Sequence, residues 1–505
     1  MTRSAGTRLY HGTWWDLHKD DSLATLAAGR FTTLLPELDP AGFDPDDLRL
    51  LADAMTSRPE RKATSETRLD PQEDRAITVG YTYLGQFVDH DLTFDPTSSL
   101  RELLDRKQIE KLADFRTPRF DLDNLYGRGP DDQPYMYNPD GIRMLLGEPL
   151  SGSPDDPRAV DVPRGPSGRA LIGDPRNDEN RIVSQLHAIF LRFHNEVARH
   201  LGDEATFEQV REQVRWHYQW MLVTDFLPTV LEQQTFERVF GDPYNPVPGL
   251  PQLRTGLRLM PVEFSGAAYR FGHSMIRPEY RLNTAVERPI FSRSRAETAD
   301  LGGFRPIPSD WAIDWHFFID LGSGAEPVAR RPQRAFKIDT SLANPLGHLP
   351  SRITSPPSIL ALRNLERGNT FGLPSGQDVA RALGVDPIPD EMLVIGKATA
   401  GAARRPLVDI APGFAGRAPL WAYILSEAQV TSWDGADPDT PRDDIPVKLG
   451  PVGSRIIADV FASLLIGDPA SYLYADDPFR PNPAFSRSGT FGLAQLINAA
   501  LGRAP

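Results

Sequence analysis

Forty-seven prolines divide this chain into blocks, and their placement constrains the fold more than any other feature of the sequence. They concentrate between positions 118 and 166, 243 and 251, 306 and 308, 345 and 357, and 438 and 451. Proline removes a backbone donor and is excluded from helix interiors and central strands, so these stretches read as long ordered loops. Between them, apolar residues return at three and four positions over about 79–92, 181–201, 205–225, 259–275, 377–384, 452–466 and 490–501, the period of an amphipathic helix. In 181–201, Ile182, Leu186, Ile189, Phe190, Phe193 and Val197 form one stripe that must be buried. Alternating strand patterns are few and short. The expectation is a mainly α protein: one large helical domain over 75–505 with long proline-rich loops and little β structure. An irregular leader, 1–74, packs on it. No segment repeats with a period of 20–50 residues, which argues against a solenoid. The polar, proline-rich run 434–446 reads as a solvated loop.

Composition removes several classes of function. A net charge of −13 leaves no broad basic footprint for nucleic acid or anionic membranes. The absence of cysteine excludes disulfides, thiolate metal sites, iron–sulfur clusters and cysteine-ligated haem. No 18-residue stretch runs free of charge, so no membrane span is expected. The first residues lack the apolar core of a secretory signal. The chain is expected to be soluble, a monomer, and either cytoplasmic or exported without such a signal.

The stretch Gly85-Gln-Phe-Val-Asp-His-Asp91 places Gln86 and His90 one helical turn apart on one face. Asp89 and Asp91 flank the histidine at about 100° to either side and so serve different neighbours. Downstream, Thr117, the Arg119 carbonyl, Asp121 and Asp123 offer oxygen donors at alternate positions, as a calcium loop requires. A third block, Gly173-Asp-Pro-Arg-Asn-Asp-Glu-Asn180, precedes a helix carrying His187, His194 and His200. His187 and His194 are about 10 Å apart along that helix and His200 lies on another face, so the three read as packing or hydrogen-bonding groups rather than a metal site. A fourth block, Tyr269-Arg-Phe-Gly-His273, ends an apolar helical pattern, and a fifth, Leu362-Arg-Asn-Leu-Glu-Arg367, leads into Gly372-Leu-Pro374.

Taken in order, these blocks resemble the animal-type haem peroxidases of the peroxidase–cyclooxygenase superfamily, which include myeloperoxidase- and peroxinectin-like proteins, with this chain a bacterial-type member. The resemblance covers about 75–500. It implies haem b, with His90 as the distal acid–base, Gln86 lining the distal cavity and Arg176 as the distal arginine. It implies His273 as the axial ligand of the haem iron, Asn364 as the partner of its other ring nitrogen, and Arg270 and Arg367 at the haem propionates. It makes Asp89 and Glu179 the carboxylates that can esterify the haem, and Asp91, Thr117, Arg119, Asp121 and Asp123 the ligands of Ca2+. Two positions depart from the family. Asn180 stands where myeloperoxidase has the methionine of its sulfonium link, and Asn369 stands where an arginine follows Arg367.

The implied activity is reduction of hydrogen peroxide, coupled to oxidation of phenolic or aromatic donors or halides. Two alternatives carry different signatures. A fatty-acid dioxygenase of the same superfamily places a radical-forming tyrosine three residues before the proximal histidine; Arg270 occupies that position and Tyr269 lies one residue earlier. A peroxinectin-like adhesion protein would carry an Arg-Gly-Asp or Lys-Gly-Asp triplet, and neither occurs.

Overall fold

The computed structural model describes residues 29–58, 70–94, 104–256, 259–292, 294, 296, 298–322, 331–351, 353–432 and 445–503. Most of the leader's first part and of the 434–446 loop lie outside these residues.

Helices build the core. The helix Arg181–Leu201 runs through the middle, its Asn180 side chain accepting from the Ile182 amide at the N-terminus. That cap satisfies one of the amides a helix start leaves unpaired. It packs on Val79–Leu92, on Phe207–Met221 and on Leu493–Leu501. Phe87 of the first of these stacks on Phe190 with ring centroids 4.3 Å apart, and Tyr218 of the second meets both rings edge-on. Such pairs add to the apolar area they bury. Strands are short: Gly29–Thr32 lies between Ala113–Asp114, antiparallel, and Met260–Pro261, parallel. Three two-stranded pairs complete the β structure of the described residues.

Several predicted helices recur with their predicted bounds, Val79–Leu92 and Arg181–Leu201 among them. The predicted helix 205–225 is extended: Phe207–Met221 passes through a π-turn, Leu222–Phe226, into Leu227–Val230. The predicted helix 259–275 is broken. After the Met260–Pro261 strand comes Val262–Gly266, then Ala267 with φ −138° and ψ −69°, then a 3-10 turn, Ala268–His273. Tertiary bonds replace the helical ones there. Glu263 is buried and accepts from the Leu34 and Leu35 amides, Arg270 Nε donates to Ser265 O, and Trp421 Nε1 donates to Arg270 O.

The leader is more regular than its sequence suggests. Pro45–Met55 is a helix with Asp44 as cap and proline at its first position, burying Leu48, Leu51, Ala52 and Met55. Asn369, the departure from the family pattern, accepts from the Phe43 amide at 2.9 Å and so ties this segment to the core. Among the described residues, no helix is long and apolar enough to cross a membrane.

Candidate active site

His90 sits in the last turn of Val79–Leu92, and His273 ends the 3-10 turn Ala268–His273. Both line one cavity of about 350 Å³, together with Gln86, Asp89, Glu179, Tyr269 and Arg270. The volume falls in the range of cofactor and small-ligand sites. Met275, Ile276, Ile290, Phe291, Leu346 and Leu349 make much of the remaining wall apolar.

On the His90 side, Asn177 Oδ1 lies 2.7 Å from His90 Nδ1. A carbonyl oxygen only accepts, so the proton is on Nδ1 and Nε2 carries the lone pair. Asn177 Nδ2 donates to His187 Nδ1 at 3.0 Å, which holds the carboxamide in that sense. Burial, reinforced by the Arg176 guanidinium, pulls His90 down to about 4, so the ring is neutral at ordinary pH. Gln86 Nε2 donates to Glu179 Oε1, and His90 Nε2 lies 3.8 Å from the same oxygen. Burial pushes the Glu179 carboxyl up to about 7 against the pull of Arg176.

Arg176 is placed behind His90 and is not one of the residues on the cavity wall. Its Nη2 donates to His90 O at 3.2 Å and to Asp174 Oδ2 at 2.8 Å, and its guanidinium lies 4.4 Å from the Phe94 ring centre. Burial opposes charge on Asp174, but Arg116 and Arg176 outweigh it and hold that carboxyl well below the usual range.

On the His273 side, Asn364 of helix Leu360–Thr370 donates Nδ2–H to His273 Nδ1 at 2.8 Å. Arg270 Nη1 donates to Asn364 Oδ1 at 3.0 Å and thereby fixes the sense of the amide. The ring proton of His273 is therefore on Nε2. Burial, with Arg270 adding, pulls its pKa down to about 3. Arg367 lies with its guanidinium 5.3 Å from the Phe371 ring centre and is not on the wall; Arg363, one turn earlier, is.

Next to this cavity, Asp91, Asp121 and Asp123 bring carboxylate oxygens within 4.8 Å of one another. Asp91 is fully buried, and among the described residues neither oxygen meets hydrogen-bond geometry with a neighbour, although the Tyr218 hydroxyl and Leu122 amide lie close. Burial, then the two neighbouring acids, raises its pKa well above the usual range, and burial pushes Asp123 up to about 7. Leu122, between the two loop acids, has φ 60°, a left-handed backbone that a branched residue adopts only under constraint. Thr117 Oγ1 donates to Asp121 Oδ2 at 2.8 Å, and Asp123 N donates to Asp121 Oδ1 at 3.2 Å. Arg119 N donates to Thr117 O within the same loop. Gly127 closes it at φ 56°, where a Cβ would overlap Gln133 Oε1. Arg116 joins the two sites, pairing with Asp174 at 2.6 Å and lying 3.5 Å from Asp123.

The residues grouped from sequence thus fall into three sets. His90, Gln86, Asp89, Glu179, His273 and Arg270 share the cavity; Asn364 and Arg176 stand directly behind it; Asp91, Thr117, Asp121 and Asp123 form the acidic pocket beside it. Sequence reasoning did not find Asn177, Asp174 or Arg116 as supports. The adjacency of Asn177 to Arg176 was the one visible signal. His187 and His194 are hydrogen-bonding groups: His194 accepts from Tyr126 and donates to Ile142 O.

A helical core with a cavity between two imidazoles from different segments defines a protein of the peroxidase–cyclooxygenase architecture. Residues 106–301 match the model of the animal haem peroxidase family, and through this segment the chain is a relative of those enzymes. Thyroid peroxidase of Sus scrofa is 25% identical over 296 residues, 53% of this chain and 30% of its own length. The chain spans about a third or less of the curated relatives it matches. Among solved structures, peroxidase A of Dictyostelium discoideum superposes with a TM-score of 0.53 at 17% identity, covering 88% of each chain. The fatty acid α-dioxygenase of Oryza sativa also gives 0.53, at 13% identity, covering 95% of this chain and 86% of its own. At these identities the structures show a shared fold.

Proposed function

We propose that the chain is a haem-dependent peroxidase that reduces hydrogen peroxide and oxidises small phenolic or aromatic donors or halides. The observation that carries this reading is the single cavity with His90 and His273 on its wall. The residues fit a haem there. His273 is held through Nδ1, Nε2 becomes available to a metal once its proton moves to Nδ1, and the buried Tyr269 hydroxyl on the wall has no hydrogen-bond partner among the described residues. His273 would hold haem b, with Arg270 and Arg367 as the propionate partners the resemblance names, and the haem would supply the electron-transfer chemistry. Asp89 and Glu179, both on the wall, are the carboxylates available for ester links to it.

The chain's own contribution is proton movement and placement. His90, neutral and with its lone pair on Nε2, accepts the proton of a bound peroxide and returns it to the departing oxygen. Asn177 keeps that tautomer through the transfer. Gln86 and Glu179 hydrogen-bond along the same wall and orient small polar molecules beside Nε2. Arg176 supplies positive charge behind the imidazole and opposes its resting protonation.

The carboxylates of Asp91, Asp121 and Asp123, with Thr117 and the Arg119 carbonyl, are read as the Ca2+ site. A fully buried Asp91, with neither oxygen in hydrogen-bond geometry among the described residues, beside the half-buried Asp121 and Asp123 suits a divalent cation. The catalytic domain is taken as 75–505, with 1–74 packed on it.

One observation favours a second reading, a fatty-acid dioxygenase: Tyr269 shares the cavity wall despite lying four residues before His273. One comparison separates the two. The purified chain should show a Soret band and oxidise guaiacol under peroxide, whereas oxygenation of linoleate without guaiacol turnover supports the dioxygenase. A chain that holds no haem removes both.

A further inference from the structure

The charged groups of the cavity wall are segregated. Asp89 and Glu179 stand on the His90 side, while Arg270 and Arg363 stand on the His273 side. The two arginines differ in what they already bind. Arg270 is committed through Nε to Ser265 O and through Nη1 to Asn364 Oδ1. Arg363 donates from Nη1 to Ser355 O at 2.8 Å and to Pro357 O at 3.2 Å. Those two carbonyls fix the guanidinium without neutralising it, and Nε and Nη2 make no hydrogen bond among the described residues. Burial lowers its affinity for a proton, and the charge of Glu366, three residues on, opposes this without outweighing it.

A cation on a largely apolar wall, oriented but not neutralised, is costly unless an anion joins it. A planar guanidinium matches a carboxylate in particular. The helix Leu360–Thr370 sets the position: Leu360 and Arg363 share its cavity face, and Asn364, the next residue, holds His273. One turn thus supplies both the hydrogen bond to the proximal imidazole and a cation on the wall that imidazole faces.

We propose that Arg363 anchors a ligand carboxylate, that of a haem propionate, on the proximal wall. Arg363 thus takes a role that the family resemblance gives to Arg367, whose guanidinium lies over Phe371 and off the wall. The inference rests on the reading of the cavity as a haem site. The same chemistry would serve the carboxylate of an acidic donor, so the test has two arms.

In the first arm, the full chain, produced under haem limitation, is titrated with haemin and with haemin dimethyl ester and followed at the Soret band. Wild type should bind haemin about tenfold more tightly than Arg363→Gln, the worth of one charge-assisted contact. The ester should bind both proteins alike, and Arg363→Lys should recover part of the loss. Equal melting of the variants by circular dichroism excludes a folding defect. In the second arm, KM for a phenolic acid is compared with KM for a neutral phenol. A rise in the acid's KM alone, with haemin affinity unchanged, keeps the carboxylate anchor but assigns it to the donor. If neither arm moves, or if Arg367→Gln gives the haemin loss instead, Arg363 is not the anchor. If wild type itself binds no haemin, it is the haem reading that fails.

Discussion

The Asn364 carboxamide donates to Nδ1 of His273 across 2.8 Å, whereas the Asn177 carboxamide accepts from Nδ1 of His90 across 2.7 Å. The two imidazoles of one cavity are therefore held in opposite tautomers, with the proton toward the cavity on His273 and away from it on His90. Ligation of a metal by His273 Nε2 would move the ring proton to Nδ1, which then needs an acceptor, so the Asn364 carboxamide would have to present Oδ1 in place of Nδ2.

His273→Ala should abolish the Soret band of the purified chain, and Asn364→Ala should weaken haem retention about tenfold to a hundredfold, the usual cost of losing such a partner. Haem content per chain by pyridine haemochrome measures both. Full loading of His273→Ala would remove the axial assignment.

The acidic pocket predicts chelator sensitivity. With Asp91 buried and neither of its oxygens in hydrogen-bond geometry among the described residues, a bound divalent cation stabilises the fold in proportion to the logarithm of its free concentration over its dissociation constant. EDTA should lower the melting temperature of wild type by several degrees and leave Asp91→Asn nearly unmoved. An identical response from the two proteins would argue against a cation there.

If Asp89 and Glu179 esterify the haem, peroxide turnover followed by acid–acetone extraction should leave haem on the wild-type protein and none on the Asp89→Asn, Glu179→Gln double variant. Complete release from wild type would count against the link.

His217 gives a pH signature independent of the active site. Its Nε2 accepts from the Asn482 amide, Phe479, Phe485 and Phe491 surround it, and burial pulls it down to about 4. Between about 6.5 and 4 the unfolded chain binds a proton at this position that the folded chain refuses, so stability is lost as pH falls through that window. One such proton costs the fold about 1.4 kcal/mol for every pH unit crossed. Denaturant melts should show the wild-type advantage over His217→Gln shrinking by roughly that amount per pH unit below 6.5 and holding constant above it.

Much of the site was legible because its residues sit at fixed helical spacings. Gln86 and His90, four apart, had to share a face, and they do. The loop acids 121 and 123 and the helix acid 91 could be joined only through the family resemblance, since nothing local in the sequence links them. What escaped was decided by tertiary contacts. The break at Ala267 depends on bonds from Leu34, Leu35 and Trp421, remote in sequence. The helix Pro45–Met55 was hidden by its context, although Asp44-Pro45 is a recognisable helix start.

Asn177 offers the most specific test of the distal arrangement, because its two ends answer to two histidines. Its Nδ2 is taken up by His187 Nδ1 and its Oδ1 by His90 Nδ1, so the carboxamide cannot turn over without losing both bonds. Asn177→Leu keeps the volume and removes that polarity; His90 is then free to carry its proton on Nε2, where it cannot accept another. Haem content should stay at the wild-type level, since nothing on the His273 side is touched, while the second-order rate with peroxide should fall about a hundredfold, the lower end of a general-base contribution. Asn177→Asp, which can still accept from His90 Nδ1, should retain more of that rate than Asn177→Leu. Stopped-flow mixing with peroxide measures the rate directly. Equal rates for all three proteins would mean that the tautomer is set elsewhere.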